Sequence, residues 1–392
     1  MANLFNKNKE HRGIMPIGDG ETLSIGAQTN GSYYQSYNAG YSTGWLGGKR
    51  PLQFSYNMFF SKQTDVNSNY YNQSWMTNYY NYMGGYGSYN YGYNNYQNYY
   101  DPDKYIKLFG ASIGIGKRLR WPDDYFVLSM NVSFTRYMLK NWRYFLITTG
   151  NCNNLNFGVS LSRTSTDNQL FPRRGSEFEL SVSLTPPWSV FDGKDYKNLA
   201  TDALSKNYAK EQQDKYRWVE YHKWKFKSKT YTALTNGAKC FVLMTRVEFG
   251  ILGSYNKYKK SPFETYYMGG DGMSGYSTGY AEETIGLRGY DNGSLTPYYQ
   301  EGYAYDRFTL ELRYPFMLGN TTIYGLTFVE AGNAWNDVKK FNPFDMRRSA
   351  GAGVRIFLPM VGLMGIDWAY GFDKVFGQKG GGQFHFILGQ EF

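Results

Sequence analysis

The chain is poor in the residues on which most catalytic chemistry depends. It has three histidines (His11, His222 and His385) and two cysteines (Cys152 and Cys240) in 392 residues. None of the histidines has a cysteine or acid at metal-ligand spacing, so no zinc or other metal site is expected. Gly-rich stretches such as Gly270 to Gly275 lack the Lys-Ser/Thr and following helix of a phosphate loop. No serine sits in a strand-turn-helix elbow. These absences speak against an enzyme and against a resident cofactor. Two cysteines make no disulfide framework, and free thiols are expected.

Long apolar runs are also missing. Nothing approaches the roughly 18 consecutive apolar residues of a membrane helix. If the chain spans a bilayer, it does so as a closed barrel, the other structure that satisfies every backbone hydrogen bond in lipid. Met1 to Arg12 has no apolar segment of the signal-peptide kind. A chain that must be exported without one is expected to be part of a longer protein. The net charge is +10, but the basic residues are spread over many segments, which argues against nucleic acid. Lys223, Lys225, Lys227 and Lys229 are the local exception. Alternating with Trp224 and Phe226, they form one basic row on a strand. That row reads either as a solvated wall or as a functional track.

What the chain has in quantity is glycine, 45 residues, and tyrosine, 40 residues, with only 12 prolines. It also alternates. Leu52, Phe54, Tyr56 and Met58 share a face. Phe126, Leu128, Met130, Val132 and Phe134 oppose Ser129, Asn131, Ser133 and Thr135. Phe308, Leu310, Leu312 and Tyr314 oppose Arg307, Thr309, Glu311 and Arg313. Ala350, Ala352, Val354 and Ile356 oppose Ser349, Gly351, Gly353 and Arg355. Period-2 patterning of this kind predicts strands. Each run has about the 9–11 residues of a tilted membrane-crossing strand. The expected fold is all-β: a transmembrane antiparallel β-barrel with about 14 strands, an even number as single-chain barrels have. Short turns, such as Pro172 to Gly175 and Asn236 to Ala238, alternate with long loops at 61–103, 188–219 and 253–302. Residues 1–20 read as an irregular segment ahead of a barrel over 21–392. The first loop is rich in Tyr and Asn. In the second, Leu199 to Arg217 reads as a polar helix.

Two segments stand out. Leu287-Arg288-Gly289-Tyr290 is an arginine tip inside the third loop. An arginine folded back into a barrel needs an acidic partner, because an unpaired buried charge costs several kcal/mol. Glu330 is the candidate, on a strand whose inward residues would be Tyr324, Leu326, Phe328 and Glu330. A solvated outer-loop arginine is the other reading. The second segment is the last strand, Phe384 to Phe392. Phe384, Phe386, Leu388 and Phe392 point one way, and His385, Ile387, Gly389 and Glu391 the other.

The residues resemble the Omp85 superfamily of outer-membrane assembly factors. Pro262 to Gly270 resembles the family's approach to its sixth outer loop. Leu287-Arg288-Gly289-Tyr290 resembles its [VI]RG[FY] tip, with leucine in first place. Phe328 to Trp335 resembles its F-x-D-x-G-x-x-W strand, with glutamate replacing aspartate and Gly332 matching the glycine. Ser349 to Leu358 resembles the strand before the last periplasmic turn, and Phe384 to Phe392 the closing strand. The resemblance implies that Arg288 docks against Glu330 within the barrel. It also implies that the edge of the closing strand, with Gly389 uncrowded and Phe392 at the interface, templates client strands. The implied function is insertion of β-barrel proteins into the outer membrane. The implied partners are client outer-membrane proteins, outer-membrane lipids including lipopolysaccharide, and accessory assembly lipoproteins, with no nucleic acid. A secretion pore or translocation factor of the same superfamily is the alternative, and a passive porin or glycan-binding surface barrel a further one. The family barrel has 16 strands preceded by periplasmic POTRA domains. Glu21 to Gln28 matches its third strand, so the POTRA domains and first strand pair are expected to be missing here, with a poorly paired seam.

Overall fold

A computed structural model describes residues 21–46, 52–66, 100–142, 147–199, 204–261, 263–272, 283–297, 301–360, 362–375 and 381–388. The strands are β1 (Thr22–Asn30), β2 (Tyr34–Thr43), β3 (Leu52–Val66), β4 (Tyr100–Arg118), β5 (Phe126–Lys140), β6 (Gly150–Thr164), β7 (Gly175–Leu184), β8 (His222–Ala233), β9 (Val242–Gly253), β10 (Tyr266–Met268), β11 (Glu283–Ile285), β12 (Ala304–Met317), β13 (Thr322–Trp335), β14 (Arg347–Leu358), β15 (Gly362–Gly371) and β16 (Gly382–Leu388). Two helices, α1 (Trp188–Phe191) and α2 (Tyr208–Tyr216), lie between β7 and β8. Fourteen strands form one sheet in chain order, β1 to β9 and then β12 to β16. β10 and β11 make a separate parallel pair. No helix among the described residues is long and apolar enough to cross a membrane.

Several boundaries differ from the sequence expectation. The first long loop is shorter than 61–103, because β3 continues to Val66 and β4 starts at Tyr100. Thr64 explains the extension: its N–H donates to the Tyr33 carbonyl at 2.9 Å and its hydroxyl to Ser32 at 2.9 Å. Those bonds tie β3 to the β1–β2 turn past the end of the apolar pattern. The polar helix spans Tyr208–Tyr216 rather than Leu199 to Arg217. Ser205 to Tyr208 closes a turn instead, with the Tyr208 N–H donating to the Ser205 carbonyl at 3.1 Å. Serine and asparagine compete with the helix ladder for such bonds, and helix begins once Ala209-Lys210-Glu211-Gln212 follow. The last strand is described to Leu388. Gly389 and Phe392, like residues 1–20 and the Tyr/Asn-rich stretch 67–99, lie outside the described residues.

The chain divides into two compact units, one of residues 1–115, 131–156 and 194–219, the other of residues 116–130, 157–193 and 220–392. In the first, β1, β2 and β3 form an antiparallel ladder, with an unbroken register from Thr22↔Ser42 to Asn30↔Tyr34 between β1 and β2 and from Tyr34↔Gln63 to Thr43↔Phe54 between β2 and β3. Leu23 and Ile25, which share one face of β1, are exposed. Residues 213–219 fold onto the start of β6. Asn153 exchanges backbone bonds with Arg217 and Val219 at 2.9 Å, and Gln213 of α2 donates to Asn151 at 2.8 Å. Cys152 is buried there as a free thiol, and Cys240 is free and buried in the second unit.

In the second unit the alternation sorts side chains by chemistry. Leu310, Val329, Ile366 and Phe384 are each more than half exposed. The opposite phase is buried and polar or charged: Arg307, Glu311 and Arg313 on β12, Glu330 on β13, Arg355 on β14, Asp367 on β15 and His385 on β16. A protein in water would not expose an apolar face of that extent. In a bilayer it is the lipid contact of a transmembrane β-sheet. Part of the buried face is apolar, with Tyr231, Val242, Met244, Tyr324, Leu326 and Phe328 clustered together.

Candidate functional site

The site is built where the connection between β9 and β12 returns onto the buried face of β12 to β16. Two short limbs shape it. β10 and β11 pair side by side, Tyr266↔Glu283 to Met268↔Ile285. The Gly270 N–H donates to the Leu287 carbonyl at 3.1 Å and closes the base of the tip. Gly289 has φ +89°, a conformation that costs an L side chain about 1–2 kcal/mol. A Cβ there would also sit 3.0 Å from the Gly371 nitrogen and the Ser349 Cβ. The glycine of the tip is therefore required by conformation and by space.

Arg288 is fully buried and meets three carboxylates. Its Nε donates to Glu330 Oε2 at 3.1 Å and its Nη2 to Glu330 Oε1 at 2.9 Å. Nη2 also reaches Glu311 Oε1 at 2.7 Å, and Nη1 reaches Asp367 Oδ2 at 2.9 Å. The Arg288 backbone N–H adds a bond to Glu330 Oε2 at 3.0 Å. The guanidinium lies over the Phe328 ring, 3.4 Å from its centroid. Every carboxylate has a second arginine from the wall. Arg307 and the Thr309 hydroxyl donate to Glu330 Oε1 at 2.9 and 3.0 Å. Arg313 donates to Glu311 at 2.9 Å, and Arg355 to Asp367 at 2.6 and 2.8 Å. Four arginines thus face three carboxylates. Buried charges persist only when paired and hydrogen-bonded in this way.

The rest of the tip is held as closely. The Gly289 N–H donates to His385 Nε2 on β16 at 2.8 Å, which makes that nitrogen the acceptor of a neutral imidazole. The Tyr290 hydroxyl donates to the Arg348 carbonyl at 2.6 Å. Leu287 is fully buried. Gly332 admits the loop: a Cβ there would lie 2.8 Å from the Met268 methyl. Gly351 leaves room for the Phe328 ring, and Gly353 for the Asp367 carboxylate.

The structure therefore brings Leu287, Arg288, Gly289 and Tyr290 onto Phe328, Glu330 and Gly332. Phe384, Phe386 and Leu388 are on the exposed face of β16, away from this network. Sequence reasoning missed Glu311, Asp367, Arg307, Arg313, Arg355 and His385 as partners. A signal was present for some of them. Glu311 and Arg313 sit on the polar phase of β12, and Asp367 is the one acid between Ile366 and Trp368 on an otherwise apolar strand.

The lysine row also finds a place. Lys223 meets Glu264 at 3.2 Å and Glu283 at 3.0 Å, and Lys225 pairs with Glu283. Burial pushes the Glu283 carboxyl up, but Lys223 and Lys225 outweigh it and bring it down to about 2. Among the described residues no group of acids, histidines or cysteines could hold a metal.

A model of the Omp85 superfamily domain matches residues 17–392. The chain belongs to the Omp85 superfamily. It is an Omp85-type outer-membrane barrel, and the buried arginine tip is its docked loop. No curated protein matches it. Among solved structures it is similar to BamA from Haemophilus ducreyi lacking POTRA domains 1–3, with a TM-score of 0.58 and 17% identity over 93% of this chain and 63% of that one. It is also similar to CdiB from Escherichia coli, with a TM-score of 0.46 and 12% identity over 90% of this chain and 52% of that one. CdiB from Acinetobacter baumannii matches with a TM-score of 0.45 and 10% identity, over 93% and 52%. The chain thus spans less than two thirds of the length of each of these proteins.

Proposed function

We propose that this domain is the membrane part of an outer-membrane protein insertase, which folds client barrels by templating their strands on the edge of β16. The observation that carries the reading is that the docked loop is fastened to β16 itself. Gly289 bonds to His385, and the Gln383 side chain donates to Asp291 at 2.7 Å. The state of the loop is thereby coupled to the strand on which a client would grow. β16 stands at one end of the sheet order. Its Phe384, Phe386 and Leu388 face outward, where lipid and a client's apolar face would meet them. A strand edge is a ready template for another chain, and strand addition supplies main-chain hydrogen bonds without covalent chemistry. The likeness to BamA supports the same reading. Clients would be outer-membrane β-barrel proteins. Accessory lipoproteins and lipopolysaccharide would act around the domain.

The test uses the full-length protein in liposomes with a urea-unfolded barrel client. Folding is read as heat-modifiable migration on gels. Faster client folding than in empty liposomes is expected, and Arg288→Ala should reduce the gain. No acceleration, or passage of unfolded polypeptide across the bilayer without insertion, would overturn the proposal in favour of a secretion pore.

A further inference from the structure

The arginine tip fastens only one end of the loop. The opposite end is held by a different set of charges, and the lysine row supplies them. Glu264 precedes β10 and Glu283 opens β11, so they belong to the two separate limbs of the loop. One ammonium joins both: Lys223 Nζ lies 3.2 Å from Glu264 Oε2 and 3.0 Å from Glu283 Oε2. Its side chain is 6% exposed. It also lies over the Tyr266 ring of β10, 4.9 Å from the centroid. Lys225, two residues along the same face of β8, closes on the other Glu283 oxygen.

Geometry sets this contact apart from a solvated wall. Glu264 holds φ +63°, a left-handed conformation that non-glycine residues rarely adopt. Such strain persists where surrounding structure fixes it. Here it accompanies the turn of the carboxylate onto Lys223. Lys227 and Lys229 continue the row and stand in register with Glu248 and Arg246 of β9. The two anchoring regions take their ion pairs from different strands: the tip from β12, β13 and β15, and the limbs from β8.

We infer that Lys223, assisted by Lys225, is a positioning clamp that joins the two limbs of the docked loop through Glu264 and Glu283 and fixes them to β8. The inference rests on the reading above that a docked loop is the working state. Lys223 acts through the placement of the limbs. Neutralising it should leave the tip network intact and free the limbs. Replacing lysine with arginine should preserve the clamp, since the guanidinium is charged and long enough to meet both acids.

Hydrogen exchange on the full-length protein in detergent reads this without any insertion assay, so failure of the clamp and failure of the insertase reading are separable. With Lys223→Gln, amides of 264–268 and 283–286 should exchange at least tenfold faster, while those of β13 and β14 stay as in the parent. Lys223→Arg should return the rates to within about threefold of the parent. If Lys223→Gln does not fold, Lys225→Gln and Glu283→Gln are read the same way. Unchanged exchange in the neutral variants would overturn the clamp. So would equal loss in Lys223→Gln and Lys223→Arg, because that result describes packing rather than charge.

Discussion

Arg288→Lys is the most informative perturbation of the docked tip, because it keeps the charge and removes the shape. The guanidinium makes four side-chain hydrogen bonds, two to Glu330 and one each to Glu311 and Asp367. The three acids come from three strands and surround a planar fork. An ammonium is a single point with three donors. From one position it can satisfy two of these acids. At least one charge-assisted bond is lost, about 1.5–3 kcal/mol. Stacking on Phe328 is weakened as well, and a desolvated cation–π contact contributes about 2 kcal/mol. The expected loss is roughly 2–4 kcal/mol of docking free energy, or about 30- to 1000-fold in the docked-to-released ratio. Arg288→Ala should cost about 3–5 kcal/mol, the range for breaking a buried pair. The alanine cost falls chiefly on the loop, since each carboxylate keeps its own wall arginine. Protease cleavage within the loop and hydrogen exchange at 287–290 measure both. Parent-like protection in Arg288→Lys would refute the reasoning, because charge alone would then hold the tip.

Further outcomes follow from the same contacts. Glu330→Gln should release the loop more than Asp367→Asn does, by exchange at 287–290. Glu330 accepts five hydrogen bonds from the tip and wall, whereas Asp367 accepts three. Gly289→Ala should cost about 1–2 kcal/mol in backbone conformation alone, and more through its contacts with Ser349 and Gly371; parent-like protease resistance would contradict it. The Glu283 carboxyl is lowered from 4.5 to about 2. Its contribution to docking is therefore complete above pH 4.5 and lost as pH falls from 4.5 towards 2. Exchange at 283–286 should rise across that window in the parent and lose that step in Glu283→Gln. Leu310→Arg, on the exposed face of β12, should lower stability in lipid by about 2–4 kcal/mol if it sits near the bilayer midplane, read from urea-dependent folding into liposomes.

Which face each side chain takes was legible in the amino-acid pattern. A strand turns successive side chains to opposite sides, so the phase of Arg307, Thr309, Glu311 and Arg313 followed from the alternation of Phe308, Leu310 and Leu312. The strand count and the all-β class followed from the repetition of that pattern. Glu330 could be named in advance as the candidate acid for Arg288, because the inward face of 324–330 offered one, but charge alone left a solvated arginine equally open and the family resemblance supplied the docking. Alternation says nothing about register, however. Which rows from different strands lie level is set by the ladder: Thr309↔Glu330 places β12 on β13, and Asp367↔His385 places β15 on β16. With β14 between them, through Glu330↔Ser349 and Gly353↔Asp367, these registers bring Glu311, Glu330 and Asp367 around one guanidinium and set His385 by the Gly289 N–H. The lysine row likewise had an evident face and no evident partner. Its acids lie 41 and 60 residues away in the chain, on limbs that meet β8 only after the loop has folded back. Local patterning fixes which side a residue faces. Long-range pairing decides what it meets there, and both charged anchors of the loop are made by that pairing.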